Sequence, residues 1–284
     1  MRHLSLLVII LALAPAALCA DAPPADEDLG NVRRKVEPPE QREEGPFSLE
    51  AKVEAKTAYF FRGYNVMDTG YIFQPEATLS LRAIEWREYS FTPYFGVWNN
   101  ISEVKGHDSS IWAHWTEFDA TGGVVIERGD WSLDVQWNYY VSPSDFFDSA
   151  HELGATLGYG GEIFGVKLQP HVAVFRELDD QSDDDENTYL EAGLEPEFAL
   201  AEKLTLSLPL TLGMSLDGYY QGGDGHNAFF GYGSAGARPA YQLNENWSVY
   251  AGVEYVHLFA DSAEAANSGD DGKVIGVVGV SFTY

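Results

Sequence analysis

The chain is poor in cysteine, in basic residues and in long apolar runs. Cys19 is its only cysteine and lies in a segment that we expect to be removed, so the mature protein should have no disulfide, thiolate metal site or thiol nucleophile. Lys and Arg number 17 against 44 Asp and Glu. Because a phosphate backbone would repel so acidic a chain, we expect no nucleic-acid partner.

The apolar run near the N-terminus is the only long one. Arg2 and His3 precede the segment from Leu4 to Ala20, which predicts a secretory signal peptide over residues 1–20 with cleavage after Cys19 or Ala20. Acylation of Cys19 is disfavoured because Leu18 is too bulky for the small-residue position before a lipoprotein cysteine. After the predicted signal peptide no stretch of about 18 apolar residues occurs, so helical membrane spans are not expected. Residues 21–46 are rich in charge and proline, which predicts a disordered periplasmic linker.

The rest of the chain, residues 47–284, alternates between apolar and polar side chains. From Phe47 to Phe61 the odd positions are mostly apolar, whereas Glu50, Lys52, Glu54 and Lys56 lie at even positions. A period of two predicts strands with one apolar face, and about nine to eleven residues suffice to cross a bilayer. Twelve such segments begin at Phe47 and continue near 71–82, 87–98, 111–121, 131–141, 150–159, 165–176, 188–199, 203–214, 228–241, 246–258 and 273–284.

The connections between these segments alternate in length. Longer polar loops are predicted near 63–70, 99–110, 142–149, 177–187, 215–227 and 259–272, and mostly shorter turns near 83–86, 122–130, 160–164, 200–202 and 242–245. Outer-membrane barrels have long extracellular loops and short periplasmic turns. The pattern therefore predicts an all-β fold, a transmembrane antiparallel up-and-down β-barrel of 12 strands with both termini in the periplasm.

The C-terminal segment supports barrel closure. Val278, Val280, Phe282 and Tyr284 alternate, and the aromatic Tyr284 is the last residue of the sequence, as expected for a closing strand. Two girdles of aromatic side chains are predicted where the strands reach the membrane interfaces. The outer girdle contains Tyr59, Phe61, Tyr71, Phe73, Trp98, Trp112 and Tyr139; the periplasmic girdle contains Phe47, Trp86, Tyr89, Trp131, Tyr241, Trp247 and Tyr284. A soluble β-sandwich would explain the alternation but neither the girdles nor the loop lengths.

Several short motifs resemble a known family. They are Tyr59-Phe60-Phe61-Arg62-Gly63, Gln74, Glu117-Phe118-Asp119, Gly122-Gly123, Trp131-Ser132-Leu133-Asp134 and Tyr139-Tyr140. In these motifs, over roughly residues 47–160, the chain resembles the uncharacterised Gcw-chp-type bacterial outer-membrane β-barrel proteins. It departs from them at Tyr64-Asn65-Val66-Met67, where that family has a short polar stretch. The resemblance implies the fold and the bacterial outer membrane as location, and adds little about activity.

The polar face of the predicted barrel is the candidate functional surface. It carries more acids than bases, and the lumen-facing candidates are Glu50, Lys52, Glu54, Lys56, Arg62, Glu76, Glu117, Asp119, Asp134, Glu152, Lys167, Glu191, Glu195, Arg238 and Glu254. A charge inside a barrel is either hydrated or paired. Acid-rich walls around water predict a narrow passive channel that prefers small cationic solutes. If bases instead bridge the acids and fill the lumen, the barrel is sealed.

These alternatives define the functional expectations. The channel comes first, followed by a sealed structural or surface-interaction barrel with acidic ion-binding loops, and then an outer-membrane lipid hydrolase. No catalytic residue, cofactor or metal site is predicted, because no serine accompanies the outward histidines at a usable spacing. The run 177–187 packs seven acids into eleven residues but lacks the spacing of a calcium loop. Expected partners are outer-membrane lipid and lipopolysaccharide, the outer-membrane assembly machinery, and divalent cations at the acidic loops.

Overall fold

The computed structural model describes residues 45–103, 114–178, 187–222 and 225–284. The predicted signal peptide and nearly all of the predicted linker lie outside these ranges. The wall consists of β1 (Phe47–Lys56), β2 (Ile72–Leu81), β3 (Tyr89–Ser102), β4 (Trp115–Arg128), β5 (Trp131–Val141), β6 (Ala150–Tyr159), β7 (His171–Glu177), β8 (Thr188–Leu194 and Glu197–Ala201), β9 (Leu204–Ser207 and Leu210–Ser215), β10 (Phe230–Gln242), β11 (Trp247–Leu258) and β12 (Gly272–Thr283). No helix among the described residues is long and apolar enough to cross a membrane.

The sheet closes on itself. Each wall strand pairs antiparallel with the next, and β12 pairs with β1 in a register that places Val53 opposite Val280. At the end of this seam Leu49 and Tyr284 exchange two backbone hydrogen bonds of 2.8 and 2.9 Å. The ring of Tyr284 lies 6.4 Å from that of Phe47. The predicted 12-strand up-and-down barrel is therefore confirmed, and closure leaves no unpaired edge in the part of the wall that the structure describes.

The alternation along each strand separates two faces. On β12, Val278 points outward and is 56% exposed, whereas Ile275 and Val277 point into the lumen and are buried. On β5, Val135 lies on the outward apolar face and the adjacent Gln136 lies on the inward polar face. Side chains on successive positions of a strand must point to opposite faces, so the sequence pattern fixes which residues line the lumen.

The connections between the strands differ in length at the two ends of the barrel. We call the end where β1 begins and β12 ends the terminal rim, and the opposite end the loop rim. At the terminal rim the turns are mostly short, as at Gly129 and Asp130 between β4 and β5. The connection 160–170 is longer and contains a hairpin of Glu162–Ile163 with Val166–Lys167. At the loop rim the connections are longer, and the last one contains the helix α1 (Asp261–Ala266).

The first strand is shorter than its sequence pattern predicts. The alternation continues to Phe61, but β1 ends at Lys56 and the chain turns inward at Ala58. Tyr59–Phe61 and Tyr64–Met67 then pair with each other in a separate two-stranded sheet, which we call the inner hairpin. Its tip is Arg62 and Gly63, with φ of 49° and 87°. A strand of the inner hairpin and a strand of the wall both alternate apolar and polar side chains. The period of two therefore does not show where the wall strand ends and the hairpin begins.

The turn predicted near 122–130 is also shorter in the structure. Gly122 and Gly123 lie within β4, which continues to Arg128. A Cβ on Gly123 would lie 2.5 Å from the Tyr94 hydroxyl, so the glycine makes room for an inward tyrosine on the neighbouring strand. The turn itself uses Gly129, whose φ of 59° favours glycine.

The aromatic girdles are confirmed only in part. The large aromatics Phe47, Trp86, Trp131, Tyr241, Trp247 and Tyr284 are exposed at the terminal rim, and Tyr71 and Phe73 are exposed at the loop rim. Tyr59, Phe61 and Trp98 were wrongly assigned to the outer girdle, because they point into the barrel. The ring of Trp98 lies 5.4 Å from Tyr59, and Phe61 packs on Tyr140. Trp112 lies outside the described residues.

Candidate functional site: the lumen and its inner hairpin

The inward face carries most of the charged residues that the alternation selects. It contains Glu50, Lys52, Glu54, Lys56, Glu76, Glu117, Asp119, Asp134, Glu152, Glu191, Arg238 and Glu254. Arg62 also points into the lumen, but from the inner hairpin instead of the wall. Lys167 is exposed in the short hairpin between β6 and β7, outside the wall, and Glu195 is exposed at the break between the two segments of β8. The acidic run from Asp179 to Glu186 lies outside the described residues.

Two ion pairs lie on the side of the lumen formed by β1 and β2, one between the strands and one within β1. The register places Lys52 opposite Glu76, and their Nζ and Oε1 atoms are 3.0 Å apart. Lys56 Nζ lies 3.0 Å from Glu54 Oε2, and the Tyr250 hydroxyl donates a 2.7 Å hydrogen bond to the same carboxylate. These contacts neutralise two of the acids on this side of the lumen.

The wall strands to either side of β1 and β2 carry further paired charges. Arg238 Nη2 lies 3.1 Å from Glu254 Oε2. The Tyr94 hydroxyl lies 3.0 Å from both carboxylate oxygens of Asp134. Asp134 thus has a hydrogen-bond donor but no basic ion-pair partner among the described residues, and Glu50 is exposed at the terminal rim. The ion pairs therefore leave an excess of negative charge.

The lumen nearer the terminal rim is wet. The side chains of Lys52 and Glu76 remain 34% and 33% exposed although they point inward, and those of Arg238 and Glu254 are exposed to a similar degree. Charged groups that keep this much surface inside a closed wall have water beside them. This half of the barrel is therefore a hydrated vestibule.

The lumen nearer the loop rim is packed around Arg62. Its guanidinium donates two hydrogen bonds to Glu152, of 2.6 Å from Nη1 and 2.8 Å from Nη2. Glu152 also accepts hydrogen bonds from the Tyr140 hydroxyl at 2.9 Å and from Asn138 Nδ2 at 3.3 Å. The Arg62 and Glu152 side chains are only 10% and 7% exposed, so this ion pair is shielded from water.

Aromatic rings surround the same guanidinium. Its central carbon lies 4.3 Å from the ring centre of Tyr189, 4.6 Å from that of Phe175 and 5.6 Å from that of Tyr219. Phe61, from the inner hairpin itself, lies at 4.9 Å. These distances are in the range of cation–π attraction. We call Glu152, Phe175, Tyr189 and Tyr219 the guanidinium box.

Loops of the loop rim hold the inner hairpin in place. The Tyr64 hydroxyl donates to the Tyr219 carbonyl at 2.8 Å, and the Tyr220 hydroxyl donates to the Arg62 carbonyl at 2.9 Å. Asn65 Nδ2 donates to Asn267 Oδ1 at 3.0 Å, just after α1. Burial raises the pKa of the Tyr219 phenol to about 12. The hairpin is thus connected to the wall and to two other loops at once.

A network of uncharged polar side chains lies on the wall of β2, β3 and β4 facing the lumen. Asn100 accepts from Gln74 Nε2 at 3.2 Å and donates to Ser102 at 2.6 Å and Thr116 at 2.8 Å. All four residues are 1% exposed or less. Buried polar groups of this kind rigidify a structure when they are hydrogen-bonded, so this part of the lumen is closed to water.

A small gap remains between the inner hairpin and the wall of β10, β11 and β12. Its volume is about 90 Å³, and its lining combines charged groups such as Lys56, Arg62 and Glu254 with the apolar Val256 and Ile275. Around the inner hairpin the described lumen is therefore constricted to a small gap.

Comparison with solved structures identifies the fold, although no family model and no curated protein matches the chain. An outer-membrane channel from Pseudomonas putida F1 aligns with a TM-score of 0.51 at 8% identity, over 84% of this chain and 95% of that one. The chain therefore has the fold of a bacterial outer-membrane barrel. Two further matches have lower TM-scores: the NanC porin (0.43, 12% identity, 82% and 98% coverage) and the transport unit of the autotransporter AIDA-I from Escherichia coli (0.42, 12% identity, 86% and 92% coverage).

The barrel fold explains why the outward face is apolar. Val135, Val174 and Leu157 project from adjacent strands and are each exposed, with no part of the described chain over them. In an outer-membrane barrel this band contacts lipid. At identities this low the comparison establishes the fold alone, and the resemblance to the Gcw-chp-type proteins stays a prediction.

The sequence did not reveal the guanidinium box. Glu152 was recognised as inward, but the alternation gave no reason to join it to Arg62, which is 90 positions away. Phe175 and Tyr189 are aromatics on the inward face, where polar side chains are expected, and Tyr219-Tyr220 is an aromatic pair in a polar loop. Aromatic residues at inward-facing strand positions and in a polar loop were the sequence feature that could have indicated a packed site inside the barrel.

Proposed function

We propose that this protein is a narrow, passive outer-membrane channel that prefers small cationic solutes. The observation that carries the proposal is the hydrated vestibule, in which paired but exposed charges such as Lys52 and Glu76 line the inside of a closed barrel. A barrel that served only as a solid membrane anchor would fill this volume with packed side chains. The protein acts without catalysis in this proposal.

The excess of acids supports the preference for cations. Lys52, Lys56 and Arg238 each pair with one carboxylate of the lumen, and Asp134 and Glu50 remain without a basic partner among the residues that the structure describes. Carboxylates that line an aqueous pore raise the local concentration of cations and lower that of anions. The location of the acids in the hydrated half means that they face the solute directly.

The proposed orientation places both termini in the periplasm and the loop rim outside the cell. The short turns at the terminal rim and the longer connections at the loop rim support it. In this orientation the hydrated vestibule opens to the periplasm and the constriction lies on the external side. Lipopolysaccharide and the assembly machinery are then the proposed partners of the wall.

Neutralising Glu50 and Asp134, two carboxylates of the hydrated half without a basic partner among the described residues, tests the selectivity. We expect Glu50→Gln with Asp134→Asn to shift the reversal potential in a potassium chloride gradient toward zero, because fewer fixed negative charges remain in the vestibule. Planar-bilayer recordings of the purified protein provide the measurement. The matched control is Glu162→Gln with Glu202→Gln, which removes two exposed carboxylates outside the lumen and should leave the potential unchanged. An anion-selective wild-type protein would contradict the proposed preference.

A sealed barrel is the second candidate function, and the packing at the loop rim favours it. Tyr189 of the wall and Tyr220 of the adjacent loop are 1% exposed, and Arg62 at the tip of the inner hairpin contacts both. In this alternative the barrel presents its loops at the surface and conducts nothing. Bilayer recordings of the wild-type protein separate the two functions, since the channel conducts with the inner hairpin in place, whereas the sealed barrel stays silent.

A further inference from the structure

We propose that the guanidinium box is a binding site for small guanidinium-type cations, and that Arg62 occupies it in the structure described here as a tethered competitor. The proposal rests on the channel function above and names a solute class for it. The observation behind it is that the wall and one loop supply a carboxylate that accepts two parallel hydrogen bonds and three aromatic rings around the cation.

The contacts match a planar, delocalised cation. Glu152 accepts two parallel hydrogen bonds, which is the arrangement that a guanidinium fork forms and an ammonium group does not. Tyr189 and Phe175 offer their faces to the cation at 4.3 and 4.6 Å. A flat cation with N–H donors at its edge satisfies both requirements at once. The box therefore discriminates by shape as well as by charge.

The members of the box on the wall strands are held independently of Arg62. Tyr140 and Asn138 hydrogen-bond to Glu152 and orient its carboxylate. The Tyr189 hydroxyl donates to Glu191 at 2.7 Å and lies 3.1 Å from that of Tyr232. These partners all lie on wall strands, so removal of the arginine leaves the wall part of the box in position.

Phe175 is held by the adjacent strand. It lies opposite Gly154, where a Cβ would come within 2.5 Å of the Phe175 ring, so the glycine provides the space in which the ring lies. The ring is therefore positioned by the wall itself. A cation entering from the vestibule finds this face of the box already formed.

Arg62, which occupies the guanidinium box, belongs to the inner hairpin and not to the wall. In the described part of the chain the inner hairpin pairs only with itself, and no strand of the wall extends into it. It is held by side-chain contacts such as Asn65 with Asn267 and Lys273 with Asp68, at 3.0 and 2.9 Å. Arg62 can therefore leave the box without breaking a hydrogen bond between wall strands. A free cation of the same chemistry competes for the site that it vacates.

The test uses the full chain with Arg62→Ala, folded in detergent, and two monovalent cations at constant ionic strength. Methylguanidinium has the planar fork, whereas methylammonium has the charge alone. The first readout is the temperature at which the folded band is lost in heat-modified gel migration. We expect methylguanidinium to raise this temperature at concentrations about tenfold lower than methylammonium. Adding Glu152→Gln should abolish the difference.

Two results would overturn the binding site. They are an equal response to both cations, or a methylguanidinium effect that persists with Glu152→Gln. If Arg62→Ala does not fold alone, refolding yield in the presence of each cation becomes the readout. Recovery by methylguanidinium only would then support the site, and failure with both would overturn it.

Conductance separates this proposal from the channel function. If the channel exists, methylguanidinium should block the current of Arg62→Ala at lower concentration than methylammonium does. Selective thermal stabilisation in a protein that never conducts would refute the channel and keep the binding site. Conductance with no selective stabilisation or block would keep the channel and refute the site.

Discussion

Replacing Arg62 with alanine is expected to raise the single-channel conductance severalfold. The substitution leaves the Glu152 carboxylate buried without its cation, and an uncompensated buried charge of this kind costs roughly 3–5 kcal/mol. The chain can relieve that cost by withdrawing the inner hairpin, so that water from the vestibule reaches Glu152. Loss of the hairpin from the lumen widens the constriction.

The cost of the unpaired carboxylate is similar in size to the contribution of the hydrogen bonds that hold the hairpin. Four of the hydrogen bonds that join it to its surroundings are Tyr64 to Tyr219, Tyr220 to Arg62, Asn65 to Asn267 and Lys273 to Asp68. At about 0.5–1.5 kcal/mol net each, they contribute about 2–6 kcal/mol together. The substitution therefore offsets much of what keeps the hairpin in the lumen, and we expect the hairpin to be displaced for a measurable fraction of the time.

Planar-bilayer recordings measure this effect, with Arg176→Ala as the matched control. Arg176 also lies at the loop rim and pairs with an acid, Asp217, at 2.8 Å, but it is half-exposed and is not part of the inner hairpin. Its removal should leave the conductance unchanged. If Arg62→Ala conducts no better than the wild type while remaining folded, the inner hairpin is not the constriction.

A charge at the middle of the outward face is expected to prevent stable insertion. Val135→Arg places a cation among Val124 and Ala155 on the lipid-facing band. The cost of Arg at the bilayer midplane of such barrels is about 2–4 kcal/mol, a large share of the stability of a typical domain. The variant should therefore give a reduced folded fraction in lipid vesicles and a lower urea midpoint.

The adjacent residue provides the control for this prediction. Gln136→Arg adds the same side chain one position along β5, but it points into the lumen beside Asp134 and water. It should fold as well as the wild type. Heat-modified gel migration after vesicle insertion measures both variants. Equal loss of folding in the two would show that the outward face of β5 is not the lipid face.

The inner hairpin shows why the sequence was insufficient at the loop rim. Tyr59 and Phe61 continue the alternation of β1, and an apolar side chain that contacts lipid looks the same in sequence as one buried under Trp98 or Tyr140. Both environments remove the aromatic surface from water and both are favourable. Only the position of the rest of the barrel decides between them.

The sequence by itself determined the wall of this protein: twelve strands, their inward and outward faces, and the seam at Val278, Val280, Phe282 and Tyr284. It could do so because side-chain direction along a strand is a local property with a period of two. The tertiary structure alone decided the state of the lumen. Arg62, Glu152, Phe175, Tyr189 and Tyr219 meet only after the sheet has closed and a loop has folded inward, and no local pattern encodes contacts between residues so far apart in the chain.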